Sequence, residues 1–178
     1  MKARRPASNS APIVMARMDS PLGPMLAGVR GGRLCYLDFA DGPAAGKGLS
    51  ALAAALAAPV RDGREALHDR LEAQLAEYFG GRRRSFDIEL ELNGTAFQKD
   101  AWKALAAIPY GTTVSYAQEA RSLGRPAAVR AVAQANARNP VAILVPCHRV
   151  VASGGGLGGY SGGLERKKFL LELEKSTA

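Results

Sequence analysis

The sequence is poor in the features that mark membrane, secreted and zinc-binding proteins. It has no apolar run close to the about 18 residues that a membrane span requires. Residues 1–10 are basic and polar and no apolar stretch follows them, so a secretory signal is not expected. Cys35 and Cys147 allow at most one disulfide, and with the two histidines they show no paired C-x2-C zinc spacing. These absences predict a cytoplasmic protein with reduced thiols and no bound metal.

Positive charge is concentrated in the second half of the 178 residues. Residues 1–92 carry 13 basic and 11 acidic side chains, whereas residues 93–178 carry 11 basic and 5 acidic ones. A basic half beside a nearly neutral half is typical of a protein that binds a polyanion such as nucleic acid, and solubility is the alternative explanation. The 33 alanines favour helix and leave fewer bulky core residues than the 47% hydrophobic content suggests.

The first half reads as a small α/β unit. Residues 1–11 have the composition of a disordered tail, and residues 12–92 form the first predicted domain. The patterns predict strands at 13–18, 25–30, 33–39 and 86–92, and helices at 49–58 and 65–79. Gly31-Gly32 is a two-residue hairpin turn. Cys35 lies in an apolar strand and is interpreted as a core residue.

The second half begins at Asn93-Gly94 and is predicted to be mainly helical. Thr95 with Gln98, and Ser115 with Gln118, have the form of capping boxes that open two helices. A third helix is expected from Pro126 to about residue 137, after a tight turn at Gly124. The pair of short helices has a helix-turn-helix pattern, for which an ordinary αα-corner is the alternative.

The third helix has an unusually small surface, because it is rich in alanine, and Arg130 is its one basic residue. A helix that reads base edges in the major groove usually carries several Arg, Asn or Gln side chains. A small-surfaced helix can instead approach DNA closely, even at the minor groove, with Arg130 as a wedge. A helix buried on several sides is the alternative.

The most reactive residue follows an apolar run. Residues 141–145 are continuously apolar, which predicts a strand buried on both faces. The run leads to Cys147, His148 and Arg149. Cationic neighbours lower the pKa of a thiol and make it a nucleophile, although a buried structural cysteine is the commoner case.

A glycine-rich loop occupies residues 153–163, with seven glycines around Tyr160 and Ser161. It contains G-x-G-x-x-G, but only 15 residues follow Gly163, too few for the rest of a dinucleotide-binding unit. We interpret the loop as a lid whose backbone closes over a planar ligand.

These motifs together closely resemble the O6-alkylguanine-DNA alkyltransferases. The resemblance spans residues 93–178 and is carried by Pro146-Cys147-His148-Arg149-Val150, Arg130-Ala131-Val132, Asn139-Pro140 and Tyr160-Ser161-Gly162-Gly163. Over residues 12–92 it is looser and rests on Asp19-Ser20-Pro21-Leu22-Gly23-Pro24 and the hairpin after it. The family implies an N-terminal ribonuclease-H-like α/β domain and a mainly α C-terminal domain with a winged-helix-like helix-turn-helix.

The resemblance also implies an activity, namely direct reversal of DNA alkylation. The protein would flip O6-alkylguanine, with O4-methylthymine as a second candidate lesion, out of duplex DNA and transfer the alkyl group irreversibly to itself. Cys147 would be the nucleophile, His148 a base acting through a water, and Glu174 the residue that orients His148. Asn139 would join the helix-turn-helix to the active-site turn.

Further residues are implied to bind substrate and DNA. The substrate-binding residues would be Tyr116, the backbone around Val150, Tyr160 and Ser161. The DNA-binding residues would be Arg130, which fills the gap in the base stack, with Ala128, Ala131 and Gln134. No cofactor is expected. Some animal members of the family have a structural zinc site, but its cysteine and histidine ligands have no counterparts in this sequence, so no metal is expected either. Double-stranded DNA is the expected partner of a monomer, and cooperative assembly on DNA stays open.

Some positions depart from the family pattern. Glu119 occupies an apolar position of the first helix of the helix-turn-helix. Ala133-Gln134 stands where some members have glycine, and Ala142 where some have proline. Two other functions stay open: a cysteine hydrolase, which would need an oxyanion hole and would turn over, and a DNA-binding regulator, for which Cys147 would be dispensable.

Overall fold

The structure is a computed structural model that describes residues 11–42 and 46–178. The predicted disordered tail, apart from Ala11, lies outside the described residues. Within the described part no helix is long and apolar enough to cross a membrane.

A four-stranded sheet forms the first half of the chain. Its strands are β1 (Ile13–Met18), β2 (Met25–Arg30), β3 (Arg33–Phe39) and β4 (Val60–Asp62), in the order β3-β2-β1-β4. The first three pair antiparallel and β4 pairs parallel to β1. Gly31 and Gly32 form the predicted hairpin turn, with φ of 56° and 76°, the left-handed values that favour glycine there. The pattern analysis missed the short, exposed β4.

Two helices accompany this sheet. They are α1 (Lys47–Leu56) and α2 (Ala66–Phe79), close to the predicted ranges. Leu71, Leu75 and Tyr78 lie on the buried face of α2 and join the main hydrophobic core. Cys35 is fully buried and its thiol donates to the carbonyl of Gly28, in agreement with a core role.

The second half is mainly helical, as expected. Its helices are α3 (Ala96–Ala106), α4 (Tyr116–Ser122), α5 (Val129–Ala137) and α6 (Leu164–Ser176). Both predicted capping boxes are present, since Thr95 and Ser115 accept from the backbone of Gln98 and Gln118. Gly124 adopts φ 67° in the turn between α4 and α5. The α5 helix begins at Val129 rather than Pro126, because residues 125–128 form a separate hydrogen-bonded turn.

Two predicted strands are wrong in detail. Residues 141–145 are buried as expected, but they form consecutive turns with one bridge, between Val141 and Leu37. Ile143 has φ 70°, so the backbone turns at a non-glycine residue. Residues 86–92 show the expected alternating burial but pair with β3 only through the bridge from Leu90 to Leu34. Both segments cover the outer edge of β3.

The main hydrophobic core is shared between the two halves of the chain. Leu37 and Tyr78 from the first half and Trp102, Val145 and Leu170 from the second belong to one cluster. A short two-stranded sheet of β5 (Val114–Ser115) and β6 (Val150–Val151) lies beside α4. This shared core places the end of the 141–145 turns next to both α5 and α6.

Candidate active site

Cys147 lies at the base of a cavity of about 390 Å³. A single 3-10 turn, Cys147–Arg149, follows the turns at 141–145 and carries the thiol. Cys147 is 6% exposed. The cavity is lined by Tyr116 on α4, by Ala133, Asn136 and Ala137 on α5, and by Gly159, Tyr160 and Ser161 from the glycine-rich loop. The structure therefore brings the predicted nucleophile together with three of the four predicted substrate-binding residues.

Asn139 holds the thiol and the turn before it. Its Nδ2 donates to Sγ of Cys147 at 3.2 Å and to the carbonyl of Val145 at 2.7 Å. Its Oδ1 accepts from the backbone N–H of Val141 at 3.0 Å. Because Asn139 follows directly after α5, these bonds tie the helix-turn-helix to the segment that carries Cys147.

Behind the thiol, a buried carboxylate gathers several donors. Oε1 of Glu174 lies 2.8 Å from Nε2 of His148 and accepts from the hydroxyl of Tyr78 at 2.7 Å. Arg149 donates through Nε to Oε2 at 2.8 Å, and the backbone N–H of Gly111 donates to the same oxygen at 3.2 Å. Although burial alone would raise it, the bonds from His148 and Arg149 lower the pKa of Glu174 to about 2.

This network determines which nitrogen of His148 carries the proton. An ionised carboxylate can only accept, so Nε2 carries the proton that bonds to Glu174. Nδ1 is then the basic nitrogen, and it is buried with no hydrogen-bond partner among the described residues. Burial lowers the pKa of His148 in spite of Glu174, so the imidazole is neutral near pH 7 and able to take a proton.

The neighbours in sequence do not activate the thiol in the way expected. Burial raises the pKa of Cys147 to about 11, and the groups that lower it are Asn139 and Lys167. Arg149 instead pairs with Glu174 and donates to the carbonyl of Ile108. The resting thiol is therefore protonated, and a base must remove its proton when it reacts.

Lys167 is a site residue that the sequence analysis missed. It is fully buried, and its Nζ donates to the carbonyls of Val150 at 2.6 Å and Gly159 at 3.1 Å. The carbonyl of Val150, an expected substrate contact, therefore already accepts one bond. A signal was present, because Lys167, Leu170 and Glu174 are the buried residues of α6 and lie at i, i+3 and i+7.

Tyr116 and Tyr160 are the aromatic residues that line the cavity, and Tyr116 packs closely against the glycine-rich loop. The Tyr116 hydroxyl donates to the carbonyl of Gly159 at 3.3 Å. A side chain at Gly158 would meet the Tyr116 ring at 2.9 Å, and φ there is 68°, so only glycine fits. The hydroxyl of Tyr160 is buried with no hydrogen-bond partner among the described residues. It is thus free to bind a polar atom of a ligand.

The predicted DNA-binding residues share the outer surface of α5. Arg130, Ala131 and Gln134 are exposed, and Ala128 at the start of the helix is half-buried. Arg130 makes no hydrogen bond or ion pair with any described residue. Ala133, Asn136 and Ala137, on a neighbouring face of α5, line the cavity of Cys147, so one short helix connects the exposed surface to the thiol.

Comparison with known proteins agrees with these features. Residues 96–176 match the family model described as 6-O-methylguanine DNA methyltransferase, DNA binding domain. The methylated-DNA–protein-cysteine methyltransferase of Methanosarcina barkeri is 45% identical over 159 residues, covering 89% of this chain and 95% of that protein. The corresponding protein of Mycobacterium tuberculosis is 57% identical over 105 residues, but this match covers 59% of this chain and 64% of that protein.

Solved structures give the same result. The crystal structure of Mycobacterium tuberculosis OGT in complex with DNA superposes with a TM-score of 0.78 at 42% identity, covering 93% of this chain and 95% of that chain. An archaeal O6-methylguanine-DNA methyltransferase, from Pyrococcus kodakaraensis, superposes with a TM-score of 0.52 at 27% identity, covering 91% of this chain and 98% of that chain. The chain belongs to the methylated-DNA–protein-cysteine methyltransferase family.

Proposed function

We propose that the protein reverses alkylation damage in double-stranded DNA by transferring the alkyl group from O6 of guanine to its own Cys147. The observation that carries this proposal is a thiol at the base of a cavity, with α5 as one wall. The adjoining exposed face of α5 carries Arg130, which bonds to no described residue. A base within a duplex cannot reach a buried thiol, so the damaged nucleotide must be flipped out of the stack.

The residues around the cavity have distinct roles in the transfer. Sγ of Cys147 forms a bond to the alkyl carbon while the carbon–O6 bond breaks, and its electron pair stays on O6. The thiol proton passes through a water to Nδ1 of His148, which Glu174 holds by its other nitrogen. Guanine gains one proton from solvent as it leaves, which balances the proton that the thiol gave up. The Tyr116 hydroxyl turns away from the carbonyl of Gly159 and donates to the O6 region. The thioether formed has no bond that water readily hydrolyses, so each molecule acts once.

Recognition of the flipped base uses the remaining lining residues. Tyr160 forms a wall, and its unpartnered hydroxyl supports a role in binding a polar atom of the base. Ser161 and the backbone around Val150 read the guanine edge. Arg130 enters the vacated space, while Ala128, Ala131 and Gln134 lie against the DNA. O4-methylthymine is the second lesion to test.

In this proposal the two halves of the chain are the two domains of the family. Residues 12–92 form a ribonuclease-H-like domain, for which the strand order β3-β2-β1-β4 with a parallel β4 is the support. Residues 93–178 form the DNA-binding and transfer domain, with β5 and β6 packed beside the helix-turn-helix as in a winged helix. We further propose that the protein acts in the cytoplasm, at the nucleoid, as a monomer that can assemble along DNA.

The test is incubation of the protein with an excess of duplex DNA that contains O6-methylguanine. Repaired guanine should level off at one equivalent per protein, and mass spectrometry should find one methyl group, on the peptide with Cys147. Sustained turnover would contradict the proposal and favour a hydrolase. DNA binding without any methyl transfer would favour a DNA-binding regulator.

A further inference from the structure

Glu119 and Asn136 form a buried pair that joins the two helices of the helix-turn-helix. Glu119 lies on α4 and is 3% exposed, and Asn136 lies on α5 and is 5% exposed. Nδ2 of Asn136 donates to Oε2 of Glu119 at 2.7 Å. Asn136 also lines the cavity of Cys147. A carboxyl group thus lies behind one wall of the cavity.

This pair has two buried acceptor oxygens for which the described residues supply no donor. Oε1 of Glu119 and Oδ1 of Asn136 are both buried, and neither has a hydrogen-bond partner among the described residues. Both atoms are acceptors when Glu119 is ionised, so neither can satisfy the other. One proton on Oε1 would change this, because a carboxylic acid and an amide can form two reciprocal hydrogen bonds. Leaving both oxygens unsatisfied would be costly.

The surroundings of Glu119 also favour the neutral form. No ion pair among the described residues includes Glu119. The elements that pack on α4 are α3, α5, β5 and β6, and among the described residues the Glu119 carboxyl group receives one hydrogen bond from them, from the Asn136 amide. On its own helix the titratable neighbour is Tyr116, whose pKa is raised, chiefly by burial. Burial raises the pKa of Glu119 to about 7, although the bond from Asn136 opposes the shift.

We propose that Glu119 is a positioning residue that works as a neutral carboxylic acid, sharing its proton with Oδ1 of Asn136 and so fixing the Asn136 wall of the reactive cavity. This inference rests on the proposed function. Ionisation of Glu119 removes the second bond and places an uncompensated negative charge within the part of the protein that meets a polyanion. Docking of damaged DNA should therefore weaken as the pH rises through about 7.

The proton itself can be observed without any activity assay. In protein labelled with ¹³C at the glutamate carboxyl carbon, the resonance absent from Glu119→Gln belongs to Glu119. It should titrate with a midpoint near pH 7. A midpoint at or below the ordinary value of 4.5 would overturn the inference. If Glu119→Gln does not fold, Glu119→Leu, which removes the carboxyl group at similar size, supplies the same assignment.

The positioning role is tested by rates of transfer from duplex O6-methylguanine between about pH 6 and about pH 8.5. Gln at position 119 donates and accepts at every pH, so it imitates the neutral acid. The rate ratio of wild type to Glu119→Gln should be near one at the lower pH and fall about threefold or more at the higher pH. Both proteins contain Cys147 and His148, so the effect of titrating these two residues cancels in this ratio.

Glu165→Gln is the matched control, because Glu165 is an exposed glutamate on α6. Its rate ratio to wild type should not change with pH. A constant ratio for Glu119→Gln as well would overturn the positioning role. If neither wild type nor any variant transferred methyl groups, the proposed function would be contradicted. The titration of the carboxyl resonance would still show whether Glu119 is protonated.

Discussion

The hydroxyl of Tyr78 donates a 2.7 Å hydrogen bond to Oε1 of Glu174, the same oxygen that lies 2.8 Å from Nε2 of His148. Tyr78 belongs to α2 in the first half of the chain, and its partner lies 96 residues later, on α6. The first half therefore contributes a side chain directly to the network behind the thiol. This contact provides a physical reason for the first half to matter to a reaction that takes place in the second.

Tyr78→Phe should slow methyl transfer about 3- to 30-fold, because it removes one hydrogen bond to a charged group and leaves the ring in place. Glu174 acts on His148 rather than on DNA, so rates with duplex O6-methylguanine and with free O6-benzylguanine should fall equally. Tyr110→Phe is the control, since the Tyr110 hydroxyl bonds to Thr177 and not to Glu174. A loss confined to duplex DNA would contradict the assignment.

The two cysteines should respond differently to the same substitution. Cys147→Ser keeps a similar volume but replaces the thiol by a much less acidic hydroxyl, so methyl transfer should vanish while DNA binding persists. Cys35→Ser should leave transfer nearly intact, because Cys35 is buried in the sheet and its thiol donates to the carbonyl of Gly28, far from Cys147 in the chain. Transfer is measured on radiolabelled duplex DNA and folding by circular dichroism. Loss of transfer in a folded Cys35→Ser protein would refute this division of roles.

Acid should unfold the protein partly through Glu174. Its pKa of about 2 in the folded protein lies below the ordinary 4.5, so the folded form binds the proton less tightly than the unfolded form. The stabilisation is therefore complete above about pH 4.5 and is lost as the pH falls towards 2. A shift of this size corresponds to about 3 kcal/mol. The melting temperatures of wild type and Glu174→Gln should converge as the pH falls through this interval. Parallel curves of melting temperature against pH would contradict the lowered pKa of Glu174.

Local signals in the sequence predicted two helix starts and one turn correctly, although the start of α5 was wrong. The capping boxes at Thr95 and Ser115 and the left-handed turn at Gly124 depend on neighbouring residues, and all three are present. The apolar run at 141–145 was misleading, because continuous burial looks the same in a strand and in a buried series of turns. Nothing in the pattern marks Ile143 as the residue with positive φ.

The contacts that complete the site are long-range, and pattern analysis could not supply them. Tyr78 looks like an ordinary member of an amphipathic face, and its contact with Glu174 depends on how α2 meets α6. Lys167 and Glu119 are residues of charged type that lie on the buried faces of their helices. Such misplaced charges are a usable signal, because a charge in an apolar stripe usually has a buried partner. The partner itself becomes known only from the fold.

Arg130 should separate the DNA-dependent step from the chemical step. Flipping a base costs a few kcal/mol of stacking and pairing, and a long cationic side chain in the vacated space offsets part of that cost. Arg130 is exposed on α5 and bonds to no described residue, so it is free to enter the duplex. Arg130→Ala should therefore slow repair of O6-methylguanine in duplex DNA about tenfold or more.

The same substitution should hardly change the reaction with free O6-benzylguanine, if the protein accepts it, because a free base needs no flipping. Affinity for undamaged DNA should fall only modestly, since one cationic contact among several is lost. Arg125→Ala is a matched control, because Arg125 is an exposed arginine of the turn between α4 and α5 and stacks on Phe97. It should affect the duplex rate much less. Equal slowing of both substrates by Arg130→Ala would mean that Arg130 acts on the cavity or on the fold rather than on the flipped base.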